Sequence, residues 1–238
     1  MDLFGNALRD RYAGRRGRML TIRRDDGHVD RHDPDLYFAP APFAHEIPLL
    51  EKVDGPVLDV GCGAGRTLLW LEKRGVSATG VDLSRGAVEV ARMRGCQDVR
   101  FGDIMDPELP FQGNTFRTAV VFGNNIGIGG TYAGAETLLR RLAHVVAPGG
   151  QLLVTGLDIA NTDQEHHLAY HQHNIERGRP RGEIAMRFEY RGAVEDWIQW
   201  FHPEPDELER MAKATGWIVE DIGPAVGPFY TGVFYRVE

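Results

Sequence analysis

Between Val57 and Arg66 a short apolar run gives way to glycine at every second position, Gly61, Gly63 and Gly65, with Asp59 just before them and Arg66 just after. Glycines so spaced let the backbone turn sharply and let a ligand approach with no Cβ in the way. Alone the pattern is weakly specific; its place between a strand-like and a helix-like run makes it a candidate ligand turn. A dinucleotide fingerprint starting at Gly61 needs glycine at position 66, where Arg66 stands, so NAD and FAD are disfavoured. Asp59 argues the same way, because a carboxylate suits a ligand carrying an ammonium group better than one presenting phosphates. Downstream, Gly80-Val81-Asp82-Leu83-Ser84 and Gly102-Asp103-Ile104 each close an apolar run with an acid. Asp82 can accept from two ribose hydroxyls, and Asp103 from an exocyclic amino group, while the next backbone N–H donates to a ring nitrogen. Singly, each of these two acids reads equally well as a solvated turn residue. Three acid-bearing strand ends in succession point to one ligand.

Other residues could do chemistry beyond that turn. Asn124 and Asn125 follow the next apolar run and could orient an amine or hydroxyl, although asparagine is also an ordinary loop former. His166, His167, His171 and His173 share one segment. His167 and His171 are four apart and face one way on a helix, yet no acid or cysteine stands at a familiar ligand spacing, so no metal is expected. His167 is the candidate general base, set against a solvated helix face; His202 is similarly ambiguous. Tyr12, Tyr37, Phe38, Tyr170 and Tyr190 could shape an acceptor site, with Tyr12, Tyr37, Asn125 and Tyr190 expected to touch the acceptor. Trp197 and Trp200 are expected in the core.

These residues need a scaffold. Residues 1–52 read as a preamble: a helix over Leu3–Tyr12, a hairpin around Asp25-Asp26-Gly27, a proline-punctuated stretch, and a helix through His45, Leu49 and Leu50. From Pro56 strands and helices alternate: strands at 57–60, 76–81, 99–102, 119–122 and 152–155, and helices at 67–73, after Ser84, and through Leu138, Leu142 and Val146 to Pro148. Apolar strands separated by helices imply a parallel sheet buried on both faces. Next come the histidine-rich stretch, two paired strands at 183–190 and 194–201, a helix opened by Pro205, and two closing strands. The division expected is one domain: lid 1–52, core 53–158, insertion 159–204, closing elements 205–238.

The 238 residues carry a net charge of −7, which argues against a grip on nucleic acid phosphates. No apolar stretch reaches the ~20 residues that span a bilayer, and no secretory signal is read at the N-terminus. Cys62 and Cys96 have no paired metal spacing, and Cys62 lies inside the glycine turn, so a reducing, cytoplasmic setting is expected.

Taken in order, V-L-D-V-G-C-G-A-G-R, G-V-D-L-S, F-G-D-I-M and A-P-G-G-Q-L-L-V resemble the class I S-adenosylmethionine-dependent methyltransferases over residues 53–158, and the flanks resemble small actinobacterial-type members. The resemblance implies a doubly wound, mostly parallel seven-stranded sheet of the Rossmann-like methyltransferase kind, with an added antiparallel layer on the substrate side. It implies S-adenosyl-L-methionine as cofactor and S-adenosyl-L-homocysteine as product. Gly61, Gly63 and Gly65 would line the methionine half and Asp59 its amino group, with Asp82 and Leu83 at the ribose and Asp103 and Ile104 at the adenine. Phe122-Gly123-Asn124-Asn125 stands where the family often carries an acidic or aromatic tetrapeptide, so the adenine N-methyltransferase signature is absent and Asn124 is assigned to the cofactor and the reaction alike. The reaction expected is in-line methyl transfer to an N or O atom of a small molecule, helped mainly by alignment. The alternatives are a non-catalytic cofactor-binding module and a peptide or protein methyltransferase. The preamble and insertion are expected to meet over the reacting end of the cofactor.

Overall fold

The structure, a computed structural model, describes residues 1–109 and 111–238. The main sheet has seven strands: β3 (Val57–Val60), β4 (Ala78–Asp82), β5 (Asp98–Phe101), β6 (Phe116–Val121), β7 (Val146–Leu157), β11 (Trp217–Pro224) and β12 (Phe229–Arg236). Their order is β11-β12-β7-β6-β3-β4-β5. Strands β3 to β7 run parallel, whereas β12 pairs antiparallel with β7 and β11 with β12. All four residues of β3 are buried, which is why Val57, Leu58 and Val60 do not alternate with polar residues and why Asp59 stands out as the one acid in the strand.

Two helical layers cover the sheet. On one face α5 (Tyr132–Val145) and α7 (Pro205–Ala214) bury Leu138, Leu139, Leu142, Leu208 and Met211 against the strands. On the other, α2 (Ile47–Leu50), α3 (Arg66–Glu72) and α4 (Arg85–Met93) bury Leu49, Leu50, Leu68, Leu71 and Val88. Ser84 caps α4, its Oγ accepting from the N–H of Ala87 at 3.0 Å. Where sequence periodicity extends the α5 face to Val146, the helix stops at Val145. Val146 already belongs to β7, which carries Pro148-Gly149-Gly150 within its first half.

A second, antiparallel sheet joins the preamble to the insertion. Its path is β10-β8-β1-β2, with β9 on β8: β1 (Leu20–Arg24) and β2 (Val29–His32) form the expected hairpin, and β1 pairs with β8 (Glu183–Tyr190). The strand read over 194–201 is two pieces, β9 (Ala193–Val194) and β10 (Ile198–Phe201), separated by Glu195-Asp196-Trp197. Trp197 departs from the core expected of it: it is 45% exposed, with the Arg187 guanidinium 4.6 Å from its ring centre. Helix α6 (Glu165–Glu176) carries the histidine-rich segment. Helix α1 (Leu3–Tyr12) packs on α4, where Gly86 and Gly5 approach so closely that a Cβ on Gly86 would lie 2.5 Å from the Gly5 Cα. Among the described residues no helix is long and apolar enough to cross a membrane.

Candidate functional site

In an open α/β sheet, ligands bind beyond the C-terminal strand ends where the strand order reverses. Here the order reverses between β3 and β6, which lie side by side and are followed by the glycine turn and by Asn124-Asn125 respectively. Gly61 and Gly63 have φ of 70° and 53°, in the left-handed region. The N–H groups of Gly61 and Cys62 both donate to the Val81 carbonyl, at 2.8 and 3.2 Å, which moors the turn to β4. A Cβ on Gly63 would meet only Tyr37 and Phe4, 3.8 and 4.0 Å away, so this glycine faces open space under two aromatic rings. Gly65 opens α3 at φ 78°, and a Cβ there would lie 2.3 Å from the Cys96 sulfur, so its bare Cα also serves helix packing.

Two acids here are pushed towards neutrality. Asp59 is buried, its Oδ2 has no hydrogen-bond partner, and burial pushes its pKa up to about 7 against the pull of Arg66. Arg66 is itself paired with the fully buried Glu46, its Nη1 2.9 Å from Oε2 and its Nη2 donating to Oε1 at 2.9 Å, and lies 3.8 Å from the Phe43 ring centre. An unsatisfied acid thus stands near a guanidinium that Glu46 already holds. Asp82 is raised to about 6, chiefly by burial, although its carboxylate accepts from the N–H groups of Gly63 and Ser84, each at 2.8 Å. Each oxygen keeps a lone pair for a further donor.

The rest of the groove follows β4 and β5. Leu83 is 65% exposed just beyond Asp82, Asp103 accepts from the N–H of Met105 at 2.8 Å, and Ile104 is buried in the core beneath. Tyr37 packs edge-on against Phe4, ring centres 5.0 Å apart, and the nearby Asp82 charge adds to burial in raising its hydroxyl to about 12. Arg94 ties this roof to the turn by donating to the carbonyls of Ala64 and Tyr37 at 2.5 and 3.2 Å. Asp2 does the same at α4, accepting from Ser84 Oγ and from the Gly86 N–H, both at 2.8 Å.

On the acceptor side the structure separates the expected residues. Asn124, with φ 67°, keeps a buried amide oxygen without a partner. Asn125 braces the fold: its Nδ2 donates to the carbonyls of Val60 and Gly61 at 2.8 and 3.0 Å, fixing the turn. Trp200 approaches Gly127 in the turn after Asn125, where a Cβ would lie 2.0 Å from its indole nitrogen. Tyr12 donates to the Met93 carbonyl at the far end of α4, and Tyr190 donates to Asp10 at 3.0 Å inside the cluster with Leu3 and Leu20. Neither lines the turn. His167 is a poor base where it stands. Arg24 can only donate, so the 3.1 Å contact occupies the His167 Nδ1 lone pair, and burial, His166 and Arg24 all lower its pKa. His202 is half-buried just past β10, with its Nδ1 shielded from solvent, and desolvation pushes its pKa down to about 4.

Sequence reasoning missed Glu46, Phe43, Arg94 and Asp2, all of which hold the preamble to the site. Their partners lie 20 or more residues away, beyond any local pattern.

Residues 57–150 match the family model of a methyltransferase domain. A demethylmenaquinone methyltransferase from Corynebacterium kroppenstedtii is 38% identical over 98 residues, 41% of this chain and 40% of that protein. A probable tRNA methyltransferase 9B from Mus musculus is 32% identical over 107 residues, 44% of this chain and 22% of that protein. The aligned segment thus spans under half the length of either relative. The crystal structure of an S-adenosylmethionine-dependent methyltransferase from Bacteroides fragilis, in complex with S-adenosyl-L-homocysteine, superposes with a TM-score of 0.85 at 24% identity, covering 100% of this chain and 95% of that one.

Proposed function

From a chain that carries a methyltransferase domain over residues 57–150 on the class I methyltransferase fold, we propose an S-adenosylmethionine-dependent methyltransferase acting on an N or O atom of a small molecule. The observation that carries this reading is the unsatisfied buried Asp59 Oδ2 at the switch point, with the Arg66 guanidinium close enough to act on its charge. A methionine-type ligand end bears one ammonium and one carboxylate, and each finds its complement there. A nicotinamide dinucleotide presents a pyrophosphate instead, which Asp59 would repel. Asp59 receives the ammonium, Arg66 the carboxylate, and the bare backbone of Gly61 and Gly63 the chain between them. Asp82 accepts from the ribose hydroxyls beneath Tyr37, while Leu83, Asp103 and Ile104 receive the adenine.

When bound, the cofactor supplies an electrophilic methyl on a sulfonium, with a neutral thioether as the leaving group. The protein's task is alignment, a term worth about 7–11 kcal/mol when geometry is good. Asn124 orients the acceptor: its free amide oxygen accepts from an acceptor N–H or O–H and turns the lone pair towards the methyl. No side chain is assigned as general base. The small-molecule reading is supported by the net charge of −7, which opposes a polyanionic acceptor, and by the roof of Phe4 and Tyr37 over Gly63, which narrows the approach.

Calorimetric titration with S-adenosyl-L-homocysteine and with NAD tests the reading. Saturable binding of the first and none of the second is expected; the reverse would falsify it.

A further inference from the structure

We propose that His28, His166 and His167 form a binding site for a divalent transition-metal ion that fastens the β1–β2 hairpin to the start of α6. The three residues come from segments nearly 140 positions apart in the chain, yet each offers a ring nitrogen within 4.8 Å of the others. Ring centres of His28 and His166 are 4.4 Å apart, of His28 and His167 5.0 Å, and of His166 and His167 4.1 Å. Such a cluster is not explained by packing. The His28 Nε2 is buried, and among the described residues it makes no hydrogen bond of good geometry, its nearest ionic neighbour being the Asp30 carboxylate at 3.3 Å.

The ligand chemistry selects the ion. Imidazole nitrogen suits Zn2+, Co2+, Ni2+ and Cu2+, whereas Mg2+ and Ca2+ require oxygen donors. Asp30 stands 3.3 Å from the His28 Nε2, adding a negative charge beside the three nitrogens, and water would complete the coordination. Metal–nitrogen bonds of about 2.0–2.1 Å bring tetrahedral donors to roughly 3.3 Å from one another, so the side chains must close in slightly. The exposed His166 can do so by rotation. Arg24 is the charge opposing a cation: it donates to His167 Nδ1 at 3.1 Å. Arg24 is itself neutralised by Asp26 at 2.6 Å, which leaves Asp30 to favour a cation, and it must release His167 as the metal takes that nitrogen. Because β1 pairs with β8 and α6 leads into β8, one ion here would cross-link both halves of the second sheet. This inference does not depend on which ligand the glycine turn takes.

The test uses the full chain freed of metal by chelation. Titration with Zn2+ should show one tight equivalent, and Co2+ should give the visible absorption of a tetrahedral nitrogen site. Zn2+ should raise the thermal midpoint; Mg2+ should do neither. His28→Ala and the milder His166→Gln should each weaken Zn2+ binding at least tenfold with the circular dichroism of the fold unchanged. His166 is exposed, so its variant keeps the test sound even if the hairpin variant misfolds. Failure to bind a stoichiometric ion, equal binding of Mg2+, or unchanged Zn2+ affinity in His166→Gln overturns the proposal.

Discussion

At the scale of single residues the account rests on Asp59, a buried carboxyl whose ionisation a ligand ammonium would favour. Asp59 has its folded pKa raised to about 7 from 3.8, so between these values the free folded protein holds a proton that the unfolded chain has lost. The stability of the free protein therefore falls as pH rises through that window. Ligand binding has the opposite slope, because the ammonium needs the ionised carboxylate. Affinity for S-adenosyl-L-homocysteine should increase by about tenfold per pH unit up to the Asp59 pKa and level off above it, measured by calorimetry from pH 5.5 to 8.5. Asp59→Asn should flatten that profile; a wild-type profile that is flat, or one that survives the substitution, contradicts the role given to Asp59. Asp82→Ala removes a charged acceptor for two hydroxyls and should weaken binding by about 1.5–3 kcal/mol. It also releases the N–H groups of Gly63 and Ser84, so a lower thermal midpoint should accompany the loss. Asp59 and Asp82 were legible because each stands beside its strand end in the sequence. Asn125 was not: nothing local says that its amide nitrogen reaches back 64 residues to the Gly61 carbonyl.

At the scale of elements, the alternation of apolar runs and helices was enough to read the parallel strands, their order of appearance and the hairpin. Boundaries failed where one residue type serves two elements, as with Val146, which continues the helical apolar face but hydrogen-bonds in β7. The docking of α1 on α4 was not legible, because Gly5 and Gly86 show no periodicity that pairs them. That contact has a sign that can be tested. Gly86→Ala should gain about 1 kcal/mol of helix propensity, yet the added Cβ would lie 2.5 Å from Gly5, an overpacking that costs typically 1–3 kcal/mol. Net destabilisation on urea denaturation is therefore expected. A variant more stable than wild type would mean that α1 does not dock there in solution.

At the scale of the whole molecule the preamble is less a separable lid than part of the body. Leu8 and Leu20 are fully buried, Leu8 clusters with Ala64 of the glycine turn, and β1 completes the second sheet by pairing with β8. Deleting residues 1–32 should therefore lower the thermal midpoint and weaken S-adenosyl-L-homocysteine binding more than tenfold; a truncated chain that folds and binds as wild type would restore the simple lid. The meeting of preamble and insertion was foreseeable from two long aromatic-rich segments flanking a core that leaves its strand ends open. The Glu46–Arg66 pair that links the preamble to the ligand turn was not, since buried ion pairs leave no periodic trace in sequence. The central claim is that Asp59 and Arg66 together read the zwitterionic end of the cofactor. A crystal structure of the protein with S-adenosyl-L-homocysteine tests it most directly. The account predicts the ligand's ammonium within hydrogen-bonding distance of Asp59 Oδ2 and its carboxylate on Arg66. A ligand bound elsewhere, or in the groove with its carboxylate away from Arg66, would contradict it.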